Sequence, residues 1–105
     1  MSSWTEKDFE NYTKKEWDVL RQLKLLIDEN TCDVAVLQRA HKLSLAVLSI
    51  MSHGNGADGL AMSLQEYAYE RLEIARNSSH SEEWAKEYSA PIDEFISYGE
   101  QKWQD

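Results

Sequence analysis

Apolar residues in this chain recur at intervals of three and four positions, and no segment alternates apolar and polar residues over the length of a strand. The first pattern puts apolar side chains on one face of an α-helix, whereas alternation would put them on one face of a sheet. The chain also has one proline and four glycines, which is few for the many turns of a β-protein. The sequence therefore predicts an all-α fold.

Breaks in the apolar pattern divide the chain into four predicted helices, at about residues 5–29, 33–52, 59–76 and 80–103. The loops between them are short, and short loops make successive helices antiparallel. We therefore predict an up-down-up-down four-helix bundle that forms a single domain over residues 1–105. Candidate N-caps of the later helices are Thr31 or Asp33, Asp58 or Ser63, and Ser79.

Two helix boundaries have alternatives. The apolar stripe of the first helix passes through Thr13, which favours one helix over 5–29, but a short helix that breaks near Asn11 is the alternative. In the last helix Pro91 either kinks the helix or starts a new one with Ser89 as its cap.

The segment from Val34 to Met51 is apolar around most of its circumference. A helix of this kind is buried on more than one face. The sequence thus predicts that residues 34–51 form the central helix of the bundle.

The formal charge of −8 is distributed unevenly. Residues 1–52 hold seven Lys/Arg and eight Asp/Glu, whereas residues 53–105 hold four and eleven. Nucleic-acid binding needs clustered basic residues, so this charge argues against it and favours a basic protein partner. The single cysteine, Cys32, excludes an internal disulfide and suits a reducing compartment. With no signal-peptide pattern and no apolar run near the ~20 residues of a membrane span, we expect a cytoplasmic protein.

No residue spacing in the chain is typical of catalysis or metal binding. The positions three residues before His41, His53 and His80 hold no glutamate, so the Glu-x-x-His motif of bundle metalloenzymes is missing. No Cys-x-x-Cys or His-x-x-x-His pair occurs either. We therefore expect no enzyme activity, no cofactor and no metal.

His41 stands at the start of the run "AHKLSLAVLSIM". Ala40, His41 and Leu43 resemble the phosphohistidine motif of histidine phosphotransfer domains, which are also four-helix bundles and carry roughly A-H-x-L-K-G. The resemblance implies phosphate transfer at His41. The chain departs from the motif at Ser44, where the family has lysine, and at Leu45, where it has glycine. We therefore predict a structural role, in which His41 lies at the edge of the buried face with its ring nitrogens hydrogen-bonded, and phosphotransfer is the alternative.

An acidic face is predicted on the third helix, opposite its apolar stripe. Glu66, Glu70 and Glu73 share this face with Tyr69, and few basic residues offset them. The fourth helix adds acidic residues near its start, among them Glu83 and Glu87. A face of mixed sign would be typical of a merely solvated surface, whereas acids beside an aromatic ring favour a binding surface. The predicted partner-binding residues are Glu66, Tyr69, Glu70, Glu73, Glu83 and Glu87.

The four tryptophans add aromatic residues beyond those of the core. We expect Trp17 and Trp84 to close the ends of the core. Trp4 and Trp103 are candidates for exposed binding residues, and the alternative is that they close the ends of the core as well.

These observations predict a small acidic, non-enzymatic protein-binding module, of the inhibitor, immunity, antitoxin-like or phage counter-defence type. In size, charge and the segment "TEKDF" the chain resembles colicin-type immunity proteins, although their acidic, tyrosine-bearing loop has no counterpart here. The alternatives are a signalling bundle that uses His41 and a self-associating helical adaptor that forms a homodimer.

Overall fold

The structure is a computed structural model that describes residues 6–51, 59–77 and 82–103. The described residues form five α-helices and no strand, which confirms the all-α prediction. The helices are α1 (Glu6–Phe9), α2 (Lys14–Asp28), α3 (Val34–Ile50), α4 (Gly59–Arg76) and α5 (Glu82–Trp103). No helix in these ranges has both the length and the apolar character needed to cross a membrane.

The predicted single helix over 5–29 is wrong, and the alternative break is the observed one. Thr13 is the N-cap of α2, not an interior residue. Its Oγ1 accepts a hydrogen bond from the Glu16 amide at 3.1 Å, and the Glu16 carboxylate accepts one from the Thr13 amide at 2.8 Å. This capping box satisfies amides that an uninterrupted helix would have bonded to carbonyls of the preceding turn, so the chain starts a new helix here.

The other helix ends agree with the predicted ones within about two residues. Asp33 is the N-cap of α3, with its carboxylate 3.2 Å from the Val36 amide. Ser63 lies inside α4, so it is not a cap. The candidate caps Asp58 and Ser79 lie outside the described residues.

The helix α5 continues through Pro91, which is buried. Because proline has no amide hydrogen, the carbonyl four residues earlier, at Glu87, loses its helical donor. No new helix starts here: the Ser89 hydroxyl donates to the Asp93 carboxylate at 2.8 Å and caps nothing. The predicted kink at Pro91 stays a prediction.

The helix α4, not α3, lies at the centre of the fold. It packs against α2, α3 and α5. Six of its residues are buried: Leu60, Ala61, Leu64, Tyr67, Ala68 and Leu72. The short α1 packs against α5, where the Phe9 ring contacts Phe95 with centroids 5.3 Å apart. A single core joins all five helices.

The prediction that residues 34–51 are buried on more than one face is wrong. One face of α3 is buried, through Leu37, Ala40 and Ser44. The second apolar face lies on the surface, with Leu43 49% exposed and Ile50 82% exposed. The sequence shows that this face of the helix is apolar, but it cannot show whether another helix covers it.

Trp17 of α2 packs against Gly99 of α5. Trp17 is buried, as predicted, and its indole lies directly against the position where a side chain at Gly99 would begin. The indole nitrogen donates to the Ile96 carbonyl at 3.1 Å. Farther along α2, Lys24 contacts Asp93. Contacts thus run in opposite order along the two helices, as they do in an antiparallel pair.

Candidate functional site

The predicted partner-binding residues lie on two different surfaces. Tyr69 and Glu73 face α3, where both line a hollow that also contains His41. Glu66 and Glu70 face α5, where both act on the phenol of Tyr88. Residues spaced three and four apart share a broad helix face, but α3 and α5 flank that face on opposite sides.

The surface between α4 and α5 combines carboxylates with two aromatic rings. Trp84 is 57% exposed, and its ring lies 6.4 Å from that of Tyr88, one helical turn later. The predicted residues Glu83 and Glu87 are exposed on the same helix, each directly before one of these rings. We call this surface the acidic–aromatic patch. It consists of Glu66, Glu70, Glu83, Trp84, Glu87 and Tyr88.

The electrostatics of the patch are visible at Tyr88. Partial burial raises the pKa of its phenol, and the carboxylates of Glu66, Glu70 and Glu87 raise it further. A negative charge on Tyr88 would add to three existing ones, so the phenol stays a neutral hydrogen-bond donor. The patch therefore offers an anionic rim around apolar rings.

The prediction that Trp84 closes an end of the core is wrong. The segment "EEWAKEY" places Trp84 and Tyr88 four residues apart, and this spacing gave Trp84 the appearance of a core position. The core position of this turn is Ala85, which is fully buried. The sequence did contain a signal that Trp84 is exposed. The core position, Ala85, directly follows it, and glutamates stand one residue before it and three residues after it. Trp103 is half-buried against Trp17, and Trp4 lies outside the described residues.

The second surface is a hollow of about 320 Å³ between α3 and α4. His41 is half-buried at its edge, 5.8 Å from the Tyr69 ring, and its Nε2 lies 3.0 Å from the Gln65 side-chain nitrogen. Glu73 forms an ion pair with Arg76 at 3.1 Å on the same side. The geometry matches the predicted structural role for His41, in which a ring nitrogen has a hydrogen-bond partner.

Ser44 occupies the position at which the phosphotransfer motif has lysine. It is fully buried, and its hydroxyl donates to the His41 carbonyl at 2.6 Å. A lysine at this position would have to bury its charge. The position that holds lysine in the motif is here part of the core.

A buried lysine, which the sequence did not predict, lies where α2, α4 and α5 meet. The Lys24 side chain is 6% exposed, and its ammonium lies 2.7 Å from Asp28 and 2.9 Å from Asp93. It also lies 4.8 Å from the centre of the Tyr67 ring. Burial alone would lower the pKa of Lys24, but the hydrogen bonds to both aspartates outweigh burial, so its pKa is raised.

The polar contacts continue on α4. The Tyr67 hydroxyl donates to Asp28, and the Arg71 guanidinium donates to the Tyr67 oxygen at 3.3 Å. Arg71 also forms an ion pair with Glu82 of α5 at 2.9 Å. The side chains of Lys24, Tyr67 and Arg71 each have a hydrogen-bond or ion-pair partner in this network. The network therefore fixes three helices relative to one another, which is a structural role. Lys24 takes the place of an apolar residue in the repeat Trp17, Leu20, Lys24 and Ile27, which was the sequence signal for its burial.

Within the described ranges, no three His, Cys, Asp or Glu residues lie close enough together to hold a metal ion. Comparisons with protein families, with curated proteins and with solved structures find no match for this chain.

Proposed function

We propose that this protein is a non-enzymatic binding module that inhibits a basic protein partner, in the manner of an immunity protein, an antitoxin or a phage counter-defence factor. The acidic–aromatic patch is the binding surface. We place the protein in the cytoplasm, where the exposed thiol of Cys32 would stay reduced. We also propose that α2 to α5 run up-down-up-down, which the opposite order of contacts along α2 and α5 supports.

The exposure of Trp84 within a group of carboxylates carries this proposal. A tryptophan contributes more contact area than any other residue, and burying it in a partner would stabilise a complex at short range. Glutamates at the rim of an interface act at longer range, because they steer a basic partner toward the ring before contact. The same carboxylates repel phosphate, so the patch favours a protein over a nucleic acid.

The two alternative functions have less support. The Gln65 amide at His41 Nε2 weighs against histidine phosphotransfer, since phosphorylation would require that nitrogen to be open to a receiver domain. A homodimer would bury the exposed face of α3. Because α3 carries two cations and no acidic residue, the two copies would bring like charges together.

The proposal is tested by photo-crosslinking in cells of the native host. Benzoylphenylalanine at position 84 should form a crosslink to a basic polypeptide. The same residue at position 25 is the matched control, because Leu25 is a 49% exposed apolar residue of α2, outside the patch. Identical products from both positions, or no polypeptide product from position 84, would refute the patch as the binding surface.

Charge reversal separates steering from contact. The variant Glu66→Lys/Glu70→Lys/Glu87→Lys should bind the crosslinked partner with a slower on-rate and a weaker salt dependence. Trp84→Ala should instead speed dissociation. The control variant Glu10→Lys/Glu29→Lys/Glu100→Lys makes the same change in net charge at exposed positions outside the patch. Inhibition is then measured as the partner's own activity with and without each variant.

A further inference from the structure

The exposed face of α3 carries an apolar seam with the spacing of a coiled-coil helix. Val36, Leu43 and Ile50 stand seven residues apart, and Val47 lies beside them. Leu43 and Ile50 are exposed, whereas Val36 and Val47 are half-buried. We call these four residues the α3 seam. Within the described chain no helix covers the exposed side of Leu43 or Ile50.

The seam continues into a groove between α2 and α3. The groove has a volume of about 410 Å³. Val47 and Ile50 of α3, with its C-cap Met51, face Val19 of α2 across it. Val19 is itself exposed. The groove is concave and apolar, so it fits a row of side chains that project from a helix. Hydrophobic grooves recognise amphipathic helices in this way.

The charges beside the seam on α3 are positive, while the α2 side of the groove carries one charge of each sign, Lys15 and Glu16. Arg39 and Lys42 are both exposed, and α3 contains no Asp or Glu although the whole chain carries a net charge of −8. Among the described residues, neither cation has an ion-pair partner. In heptad terms Lys42 stands at a position that flanks the seam, where charges select the partner helix, and Arg39 adds a positive charge within the seam between Val36 and Leu43.

We propose that the α3 seam and its groove bind an amphipathic helix of a second protein, one that carries acidic side chains next to its apolar stripe. Arg39 and Lys42 would pair with those acids, and the partner's apolar residues would cover Leu43, Ile50 and Val19. The site lies on α2 and α3, separate from the acidic–aromatic patch on α4 and α5. The two surfaces have opposite charge, so the bundle would hold two different partners at once.

Charge and shape favour this occupant over two others. A second copy of the chain would bring Arg39 and Lys42 against another α3 that offers them no carboxylate. A lipid bilayer would supply anionic groups, but two cations are few for surface binding, and a concave groove does not lie against a flat membrane.

A designed peptide tests the proposal directly. The probe is a fluorescein-labelled helix of about three heptads, with leucine at the first and fourth positions of each heptad and glutamate on both flanks. Fluorescence anisotropy at physiological salt should show binding. The same peptide with lysine in place of glutamate should bind at least about tenfold more weakly, because its charges meet Arg39 and Lys42.

Two variants locate the binding. Leu43→Ser/Ile50→Ser should abolish binding of the glutamate peptide, while Leu25→Ser, which is 49% exposed like Leu43, should leave it unchanged. Arg39→Glu/Lys42→Glu should reverse the preference and favour the lysine peptide. Circular dichroism checks that each variant keeps its helix content.

Each other outcome overturns the proposal. Failure to bind either peptide would do so, as would equal loss of binding in Leu25→Ser. A dimer in analytical ultracentrifugation that Leu43→Ser/Ile50→Ser makes monomeric would assign the seam to a second copy. Binding to vesicles of anionic phospholipid that the same variant abolishes would assign it to a membrane. All of these results leave the acidic–aromatic patch untouched, so the two proposals fail independently.

Discussion

The ammonium group of Lys24 on α2 lies 2.9 Å from the carboxylate of Asp93 on α5, and the same group contacts Asp28 on its own helix. The lysine is buried, but both aspartates are partly exposed to water. Removing the ammonium therefore leaves carboxylates that water can still solvate. The penalty is smaller than for a pair buried on both sides.

Replacement of Lys24 should measure what the network contributes. We expect Lys24→Ala to lower the free energy of unfolding by about 1–3 kcal/mol, because hydrogen bonds to two charged groups are lost. Lys24→Met keeps the apolar stem in place and should cost less. Urea unfolding followed by circular dichroism gives both values. Lys15→Met, an exposed lysine on the same helix, is the control and should change stability little; an equal loss in Lys15→Met would contradict the assignment.

Alkaline pH should destabilise the fold through the same residues. The folded-state pKa of Lys24 is raised above its ordinary 10.5, and that of Tyr67 above its ordinary 10.0. A raised pKa means that the folded state holds its proton more tightly than the unfolded state does. Its contribution is present in full below the ordinary value and is lost as pH rises through the folded-state pKa.

The measurement is the free energy of unfolding at a series of pH values from 8 upward. The wild-type chain should lose stability above about pH 10, and Tyr67→Phe and Lys24→Met should each lose less over the same range. If all three proteins show the same alkaline loss, the network is not its source.

Gly99 should tolerate no side chain. A Cβ at this position would overlap the indole of Trp17, so Gly99→Ala should cost about 1–3 kcal/mol through overpacking, despite the better helix propensity of alanine. Ser97→Ala, at an exposed position on the same helix, is the control. In the double variant Trp17→Leu/Gly99→Ala, the glycine substitution should cost less than in the wild type, since the smaller side chain removes the overlap. Additive costs would show that the contact does not limit residue 99.

The break between α1 and α2 should depend on its cap. We expect Thr13→Ala to cost about 1 kcal/mol. The Glu16 amide loses the hydroxyl oxygen that accepts its hydrogen bond, and the Glu16 carboxylate loses the hydroxyl that helps to hold it near the amide of residue 13. Ser49→Ala, at an exposed position inside α3, should be close to neutral. Amide exchange then separates this effect from general destabilisation, since protection should fall first at residues 14–17.

The two faces of α3 should respond differently to truncation. Leu37 is fully buried, so Leu37→Ala should cost about 2–5 kcal/mol. Leu43 is 49% exposed, and Leu43→Ala should cost less than about 1 kcal/mol. Thermal unfolding of the two variants compares them on one helix. Equal costs would mean that the outer face is covered in solution.

The helix pattern was predictable because it depends on neighbouring residues. Periodicity located α3, α4 and α5 within about two residues, since each has polar breaks at both ends. It failed at Thr13 because periodicity reports which side chains are buried, and both Phe9 and Tyr12 are buried whether or not the helix is continuous. Continuity depended on the hydrogen bonds of one capping box.

The surfaces were less predictable because they depend on which elements lie side by side. The sequence identified Glu66, Glu70 and Glu87, but only the packing of α5 against α4 brings them around Tyr88. It also misplaced Trp84 and the outer face of α3, since spacing cannot show whether an apolar face has a neighbour. Lys24 was missed because the burial of a lysine depends on partners outside its own helix. Asp93 lies on α5 and Tyr67 on α4, and only Asp28 is near in sequence.

The contrast between Trp17 and Trp84 gives the protein two optical reporters. An indole in a dry core emits at shorter wavelength and is shielded from a dissolved quencher, whereas an indole in water emits at longer wavelength and is quenched readily. Trp17 is 2% exposed and Trp84 is 57% exposed. In a variant with Trp4→Phe and Trp103→Phe, the emission of Trp17 therefore follows unfolding, while acrylamide quenching of Trp84 follows occupancy of the proposed binding surface. A partner could thus be titrated against the unlabelled chain, with folding and binding observed in one cuvette.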